Sequence, residues 1–323
     1  MESFYVVGDI ESNDKAFEDA IECIRLSHEK MIVFLGDIYS SADSSKSVSH
    51  IAEILWRLQI PVQNCIDESF ITSEHSTGEI FKFCNDIKSL FTTLFFYHRL
   101  DLYTITNKLK NGPGLNKLVQ RELEPKENNY VFILGNKECN LITDMHFLSE
   151  TNIIDGRFVG NYKYIFQHKT YQSKVSFSLH ELNVLITYLN LSSHFFIRNE
   201  TLFTHIYVSG RYLMKIAKLP NIRRIVSGHN RCFGLYKDPA NSKIEIFMMD
   251  VSHEKDSTIK NYILIQGDNI IFFTTDEVAR ACINRCIFSA KKTFLSSPTN
   301  TTTIDFYQKH LEDLQKEADI DSD

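Results

Sequence analysis

The chain has 323 residues, of which 43% are hydrophobic, and its formal net charge at pH 7 is −6. This size predicts one large domain or two modest ones with a real core, and no apolar run approaches the roughly 20 residues of a membrane span. The acidic balance, with a pI near 6.1, disfavours a chain whose main role is to wrap nucleic acid.

The cysteines and the first residues of the chain indicate in which cellular compartment the protein is expected. Seven cysteines are scattered and never form a C-x-x-C pair, which disfavours both a disulfide framework and a zinc ribbon. The N-terminus lacks the basic-then-apolar order of a signal peptide. We therefore expect a soluble cytoplasmic protein with no membrane partner.

The first part of the chain alternates apolar runs with amphipathic segments. Residues 3–10 (S-F-Y-V-V-G-D-I) and 31–39 (M-I-V-F-L-G-D-I-Y) are typical of buried strands that stop at Gly-Asp. Helical spacing of apolar positions over residues 15–26 predicts a strand-helix-strand unit with parallel strands. The serine-rich residues 40–49 are typical of a loop, and residues 48–58 predict a second helix.

Residues 62–129 are predicted to form a helical insert. Helical segments rich in aromatic residues are expected over residues 77–87, 89–98 and 115–122. Because two Gly-ended strands bracket this insert, we expect it to border the functional site.

A third Gly-ended run, residues 130–140 (Y-V-F-I-L-G-N-K-E-C-N), follows the insert. The three runs end in Gly-Asp, Gly-Asp and Gly-Asn, and open α/β sheets keep their chemistry at the carboxyl edge of such strands. Two carboxylates and one amide there are hard oxygen ligands for divalent cations.

The remaining elements are predicted as follows. A strand is expected at residues 162–167 and a helix at residues 177–189. Residues 194–198 and 201–205 read as a hairpin joined by a two-residue polar break. The last apolar runs read as an antiparallel meander over three segments: residues 243–251, 261–266 and 269–274.

Five different short sequence blocks follow one another along the chain, each at the end of an apolar run. They are Gly8-Asp9-Ile10-Glu11, Gly36-Asp37-Ile38-Tyr39-Ser40-Ser41-Ala42, Gly135-Asn136-Lys137-Glu138, Leu202-Phe203-Thr204-His205 and Val226-Ser227-Gly228-His229. Together they resemble the calcineurin-like metallophosphoesterase superfamily, in particular its protein serine/threonine phosphatases and diadenosine-tetraphosphate hydrolases. The family's blocks are G-D-x-H, G-D-x-x-D-R-G, G-N-H-E, a strand ending in His-Gly or His-Ala, and G-H.

The resemblance covers residues 3–39 and 130–273 and implies a fold. That fold is α/β, a two-sheet metallophosphoesterase sandwich flanked by helices. We expect a metallophosphoesterase-like domain at residues 1–275 that contains the insert at residues 62–129. Residues 276–323 would then form a helical and acidic tail.

Carried over position by position, the resemblance implies metal ligands. Asp37 would bridge two metals, and Asn136, His205 and His229 would complete one site of a kind that suits Mn, Fe or Zn. Alone, a strand-end histidine is more often a core residue, but both histidines in their blocks favour metal ligation.

The second metal site departs from the family. Asp9 is present, but Glu11 stands where the family has a histidine. A second site made of the three carboxylates of Asp9, Glu11 and Asp37 would favour Mg or Mn. The sequence leaves open one bound ion, two ions or none.

The positions that carry catalysis are also changed. Lys137 replaces the histidine that protonates the leaving group, and Ser40 and Ser41 replace the Asp that orients it and an Arg that holds phosphate. Lys137 and Arg231 are the candidates for holding phosphate, with Arg198 a further alternative. Arg231 also stands where many nucleases of the superfamily carry a second histidine.

Three functions remain open. The favoured one is a pseudophosphatase or very weak phosphoesterase that binds a protein partner or a phosphorylated ligand. The alternative is an active metal-dependent phosphoesterase that hydrolyses a phosphoprotein or a nucleotide phosphate ester. The third is a nuclease of the same superfamily, which the missing histidine and the acidic charge disfavour, so a nucleic-acid partner is the less favoured alternative.

Overall fold

The fold is mixed α/β, with several sheets and flanking helices. A computed structural model describes residues 3–28, 30–67, 76–98, 122–123, 128–146, 152–154, 157–166, 169–206, 221–229, 233–238, 241–250, 259–274 and 288–289. No helix in these ranges is both long enough and apolar enough to cross a membrane.

The elements follow the chain in this order. The main helices are α1 (Asp14–Ser27), α2 (Ser44–Arg57), α3 (Thr77–His98), α4 (Asn136–His146) and α5 (Leu179–Leu191). The strands before α5 are β1 (Ser3–Val7), β2 (Met31–Phe34), β3 (Tyr130–Ile133), β4 (Asn152–Ile154), β5 (Arg157–Phe166) and β6 (Lys169–Ser178). Those after it are β7 (Ser192–Ser193), β8 (Phe196–Arg198), β9 (Thr201–Thr204), β10 (Arg224–Ser227), β11 (Phe233–Asp238), β12 (Asn241–Met249), β13 (Ile259–Gln266), β14 (Asn269–Thr274) and β15 (Phe288–Ser289).

A seven-stranded sheet has the order β15-β14-β13-β1-β2-β3-β7. Strands β1, β2, β3 and β7 run parallel, which confirms the predicted parallel strand-helix-strand unit. The runs that end in Gly36-Asp37 and Gly135-Asn136 are therefore neighbours and deliver those residues to the same sheet edge.

A five-stranded sheet has the order β11-β12-β10-β9-β8. Strands β9, β10 and β12 are parallel, so the residues after β9 and after β10 also share one edge. The predicted hairpin is confirmed: β8 and β9 are antiparallel, and Asn199 and Glu200 both have positive φ angles, as a tight two-residue hairpin turn requires. A separate three-stranded antiparallel sheet contains β4, β5 and β6.

The two larger sheets share a hydrophobic core. Strand side chains alternate between faces, so Phe4, Val33 and Ile133 of the seven-stranded sheet join Phe203 and Phe247 of the five-stranded sheet in one buried cluster. The opposite side chains of β1, β2 and β3 pack in a second cluster with residues of α1, α2 and α5.

Three predictions about the helices and strands need correction. Residues 40–49 are not a loop, because Ser40 caps a short 3-10 turn and the Asp43 side chain accepts the Lys46 N–H at 3.0 Å, so α2 begins at Ser44. The two helices expected over residues 77–98 are one continuous helix, α3. The predicted meander is only partly right: β13 and β14 pair antiparallel, but β12 pairs with β10 and β11, and the other neighbour of β13 is β1.

Two predicted regions lie largely outside the described residues. Of the helical segment at residues 115–122 only Glu122 is described, and of the tail at residues 276–323 only Phe288 and Ser289 are described, as β15.

The shared core predicts a stability difference between two phenylalanines. Phe203 is fully buried, with its ring centroid 5.9 Å from that of Phe4 and 5.8 Å from that of Phe196. Because truncation leaves a cavity between the sheets, Phe203→Ala should lower the free energy of unfolding by about 3–5 kcal/mol. Phe96→Ala is the control, since Phe96 is 70% exposed, and should change it by less than about 0.5 kcal/mol in urea titration. Equal losses in the two variants would contradict this packing.

Candidate metal centre

Three potential metal ligands meet where strands of the two larger sheets end. Asp37 follows β2, His205 directly follows β9, and His229 follows β10 after Gly228. One ligand atom from each of the three lies within 4.8 Å of the other two. The side chains of Asp37 and His205 are both 1% exposed, so the group is almost closed to solvent from their side.

His205 is oriented by contacts on both ring nitrogens. Its Nδ1 lies 2.8 Å from the Leu35 carbonyl oxygen, a contact in which Nδ1–H is the donor. Its Nε2 therefore faces the cluster, 3.0 Å from Asn136 Oδ1 and 3.3 Å from Asp37 Oδ1. A hydrogen bond at one nitrogen is the usual way to fix the ring so that the other can bind a metal.

Asn136 and Lys137 begin α4 at the edge of this group. The Asn136 amide oxygen contacts His205, as above, and the Lys137 backbone N–H donates to Asp37 Oδ1 at 2.9 Å. Both residues are half-buried. Asn136 thus adds an amide oxygen to the carboxylate and the two imidazoles.

Asp9 lies near the group, but its carboxylate accepts a backbone N–H of the group and does not converge with the ligand atoms. It is 1% exposed, its Oδ1 lies 3.8 Å from His205 Nδ1, and its two carboxylate oxygens accept the backbone N–H of His229 at 3.3 and 3.1 Å. Its backbone carbonyl accepts a hydrogen bond from Asn261 Nδ2 at 2.7 Å. Asp9 is not among the three residues whose ligand atoms converge.

The structure leaves the predicted roles of two other site residues, Glu11 and Arg231, untested. The carboxylate of Glu11 is not part of the converging group, and the Glu11 backbone N–H donates to the Asp37 carbonyl at 2.7 Å. Metal binding by Glu11 therefore stays a prediction. Arg231 lies outside the described residues.

Glycines allow the loops to approach each other closely. A side chain at Gly135 would overlap the carboxylate of Asp37, and one at Gly228 would overlap the carboxylate of Asp9. Gly36 has a φ of +98°. These close approaches explain the glycines that follow β2, β3 and β10.

The sequence did not indicate the role of Glu138, which is completely buried beside the group. Its Oε2 accepts the backbone N–H groups of Asp37 and Gly135, both at 3.0 Å. Its Oε1 accepts the Tyr39 N–H at 2.9 Å and the Tyr188 hydroxyl at 3.1 Å. The only sequence signal was its place in the Gly135-Asn136-Lys137-Glu138 block.

Burial and close charges shift the pKa values of these groups in opposite directions. Burial alone would lower the pKa of His205, but the carboxylates of Asp37 and Asp9 raise it to about 10. Burial alone would raise the pKa of Asp37, but the charge and hydrogen bond of His205 outweigh burial and lower it.

The pKa values of the other two buried carboxylates, Asp9 and Glu138, are raised, in contrast to that of Asp37. Burial raises the pKa of Asp9 well above its ordinary value, and the nearby charges of Asp250 and Asp37 add to this shift. Burial and the charge of Asp37 raise the pKa of Glu138 to about 7.

The donor set fits a divalent cation. Asp37 supplies a negative charge, His205 and His229 supply imidazole nitrogens, and Asn136, at the start of α4, supplies an amide oxygen 3.0 Å from His205 Nε2. A carboxylate paired only with a protonated histidine would also account for the Asp37–His205 contact, but not for the approach of a second imidazole, whose ring centroid lies 5.0 Å from that of His205.

Comparisons with protein-family models, with curated proteins and with solved structures returned no significant match.

The raised pKa of His205 predicts that protons compete with metal. Without metal, His205 is protonated at neutral pH, so a cation that takes its Nε2 must displace one proton. The apparent affinity for Mn should therefore rise about tenfold per pH unit between pH 6 and pH 8. Calorimetry in two buffers of different ionisation enthalpy should show about one proton released per cation. An affinity independent of pH, with no proton released, would contradict this assignment of His205.

Proposed function

We propose that this chain is a divergent calcineurin-like metallophosphoesterase that binds one divalent cation and uses it to bind a phosphorylated ligand or phosphoprotein, with little or no hydrolysis. The observation that carries the proposal is the convergence of Asp37, His205 and His229 within 4.8 Å. The shared core of the two larger sheets supports the two-sheet sandwich that the sequence resemblance implies.

Asp37, Asn136, His205 and His229 would hold the cation. When bound there, a divalent cation supplies Lewis acidity that attracts and polarises phosphate oxygens. Mn, Fe and Zn suit this mixture of imidazole and oxygen donors better than Mg does. The residues of the chain itself orient the ligands and exclude water from the buried side of the site.

Lys137 supports phosphate binding more than acid catalysis. It is the second residue of α4, next to Asn136, so its side chain begins one residue from a candidate ligand. A lysine has an ordinary pKa about four units above that of histidine, and it is therefore a poor proton donor near neutral pH but a good phosphate-binding cation.

The loop after β2 supports the loss of catalysis. Ser40 is buried, its backbone N–H donates to Ser47 Oγ at 3.0 Å, and its side chain accepts the Ala42 N–H at 3.3 Å. This residue therefore serves the turn into α2. It supplies no carboxylate to orient an acid, in contrast to the Asp that the family's block carries in this loop.

The cation site predicts a specific pattern of metal loss. Protein supplemented with Mn and then desalted should contain one Mn per chain by elemental analysis. Asn136→Ala and His205→Ala should each remove most of it because each deletes one of four ligands. His180→Ala is the matched control, since His180 is exposed on α5, and should retain it. Unchanged Mn content in both site variants would contradict the proposed ligands.

If Lys137 binds phosphate, its substitutions should change phosphate binding and phosphate-ester hydrolysis in different ways. Mn-loaded protein should bind inorganic phosphate, and Lys137→Ala should weaken that binding by about tenfold because one charge-assisted contact is lost. Wild-type hydrolysis of p-nitrophenyl phosphate should be barely above background, and Lys137→His should raise it, since general acids typically contribute 10²–10⁴ in rate. Rapid wild-type turnover would instead support the active phosphoesterase, and no phosphate binding by Mn-loaded protein would contradict the proposed function.

A further inference from the structure

Two of the candidate ligands have strained backbones. Asp37 has a φ of 48° and His229 a φ of 65°, in the left-handed region that residues other than glycine rarely adopt. Such a conformation persists only where the surrounding structure holds it. What holds these two residues therefore determines whether their side chains can reach one cation.

Glu138 holds the strained residue of the β2 loop. Its carboxylate accepts the Asp37 N–H at 3.0 Å and the Tyr39 N–H at 2.9 Å, on either side of Ile38. The same carboxylate accepts the Gly135 N–H at 3.0 Å, so it joins the loop of Asp37 to the turn that precedes Asn136. Glu138 itself has no exposed surface.

Asp9 plays the equivalent part for the strained residue after β10. Both of its carboxylate oxygens lie within hydrogen-bonding distance of the His229 N–H, at 3.3 and 3.1 Å. Gly228 leaves the space into which this carboxylate fits. The Asn261 side chain fixes Asp9 from its backbone side, through a 2.7 Å hydrogen bond to its carbonyl.

We propose that Asp9 and Glu138 are a pair of positioning residues, each of which holds the backbone N–H of one strained metal ligand. This inference rests on the proposed single-cation function. It assigns Asp9 a role other than the metal ligation that the sequence resemblance implies. If Asp9 only positions His229, the converging group of Asp37, His205 and His229 binds one cation and not two.

Mn affinity and stoichiometry test this proposal together. Outer residues that orient ligands typically contribute about 10–100-fold to metal affinity, so Asp9→Ala and Glu138→Gln should each weaken Mn binding by about that factor. The stoichiometry should stay at one Mn per chain in both variants. In Glu138→Gln the amide group must face at least one N–H donor, so the change in shape is small and the change in hydrogen bonding is large.

A graded series separates positioning from a general structural role. Asp9→Asn keeps a carbonyl oxygen that can accept the His229 N–H, so it should recover part of the affinity lost in Asp9→Ala. Glu181→Gln is the control carboxylate, because Glu181 accepts the Ser178 N–H at 2.6 Å in the α5 cap, away from the metal centre. It should lower stability without changing Mn affinity by more than about threefold.

The outcomes keep the two proposals distinct. Two Mn per wild-type chain, with one lost in Asp9→Asn, would make Asp9 a ligand and overturn the inference. One Mn per chain with unchanged affinity in Asp9→Ala and Glu138→Gln would also overturn it, while leaving the proposed function intact. No Mn bound by the folded wild type would overturn the proposed function itself. The wild-type stoichiometry and the affinity of Glu138→Gln decide the matter even if Asp9→Ala does not fold.

Discussion

The candidate metal centre depends on one buried carboxylate. Glu138 accepts hydrogen bonds from three backbone N–H groups and one hydroxyl, at 2.9 to 3.1 Å, and links the loop after β2 to the turn after β3. Burying a carboxylate is costly unless its oxygens are hydrogen-bonded, and here each oxygen has two donors. Removing it would leave three buried N–H groups of Asp37, Tyr39 and Gly135 unsatisfied, at about 1–3 kcal/mol each. The carboxylate and the loops therefore stabilise each other.

The sequence predicted the elements whose signals are local. The apolar runs that stop at Gly-Asp and Gly-Asn are β1, β2 and β3, because continuous β-branched and aromatic residues suit strands buried on both faces. The grouping of Asp37 with His205 and His229 came from the family resemblance. Parallel pairing explains only why His205 and His229 share one edge of the five-stranded sheet.

Features that depend on side-chain capping or on distant pairing escaped the sequence. The serines of residues 40–49 read as a loop because they suit turns and helix caps equally well, and only the Asp43 side-chain contact shows that a helix starts there. β12 pairs with β10 and β11 and not with β13, so only the β13–β14 part of the predicted meander forms. Glu138 went unassigned because its four donors lie up to 101 residues away along the chain.

The proposed loss of catalysis and the retained cation site are compatible. In the proposed site, ligand geometry is held by hydrogen bonds that the buried Glu138 and Asp9 carboxylates accept from backbone N–H groups, and these bonds do not involve the side chains of Lys137 or Ser40. Changes at Lys137 and Ser40 can therefore remove proton transfer while leaving the binding of a cation and a phosphate in place. A protein that binds phosphorylated partners needs only the second property.

Anomalous diffraction from crystals grown with Mn would show whether one cation binds among these side chains. We expect a single Mn peak in each chain, within bonding distance of Asp37, Asn136, His205 and His229, with Asp9 still accepting the His229 N–H. No peak among these side chains, or a second peak bound by Asp9, would contradict this expectation.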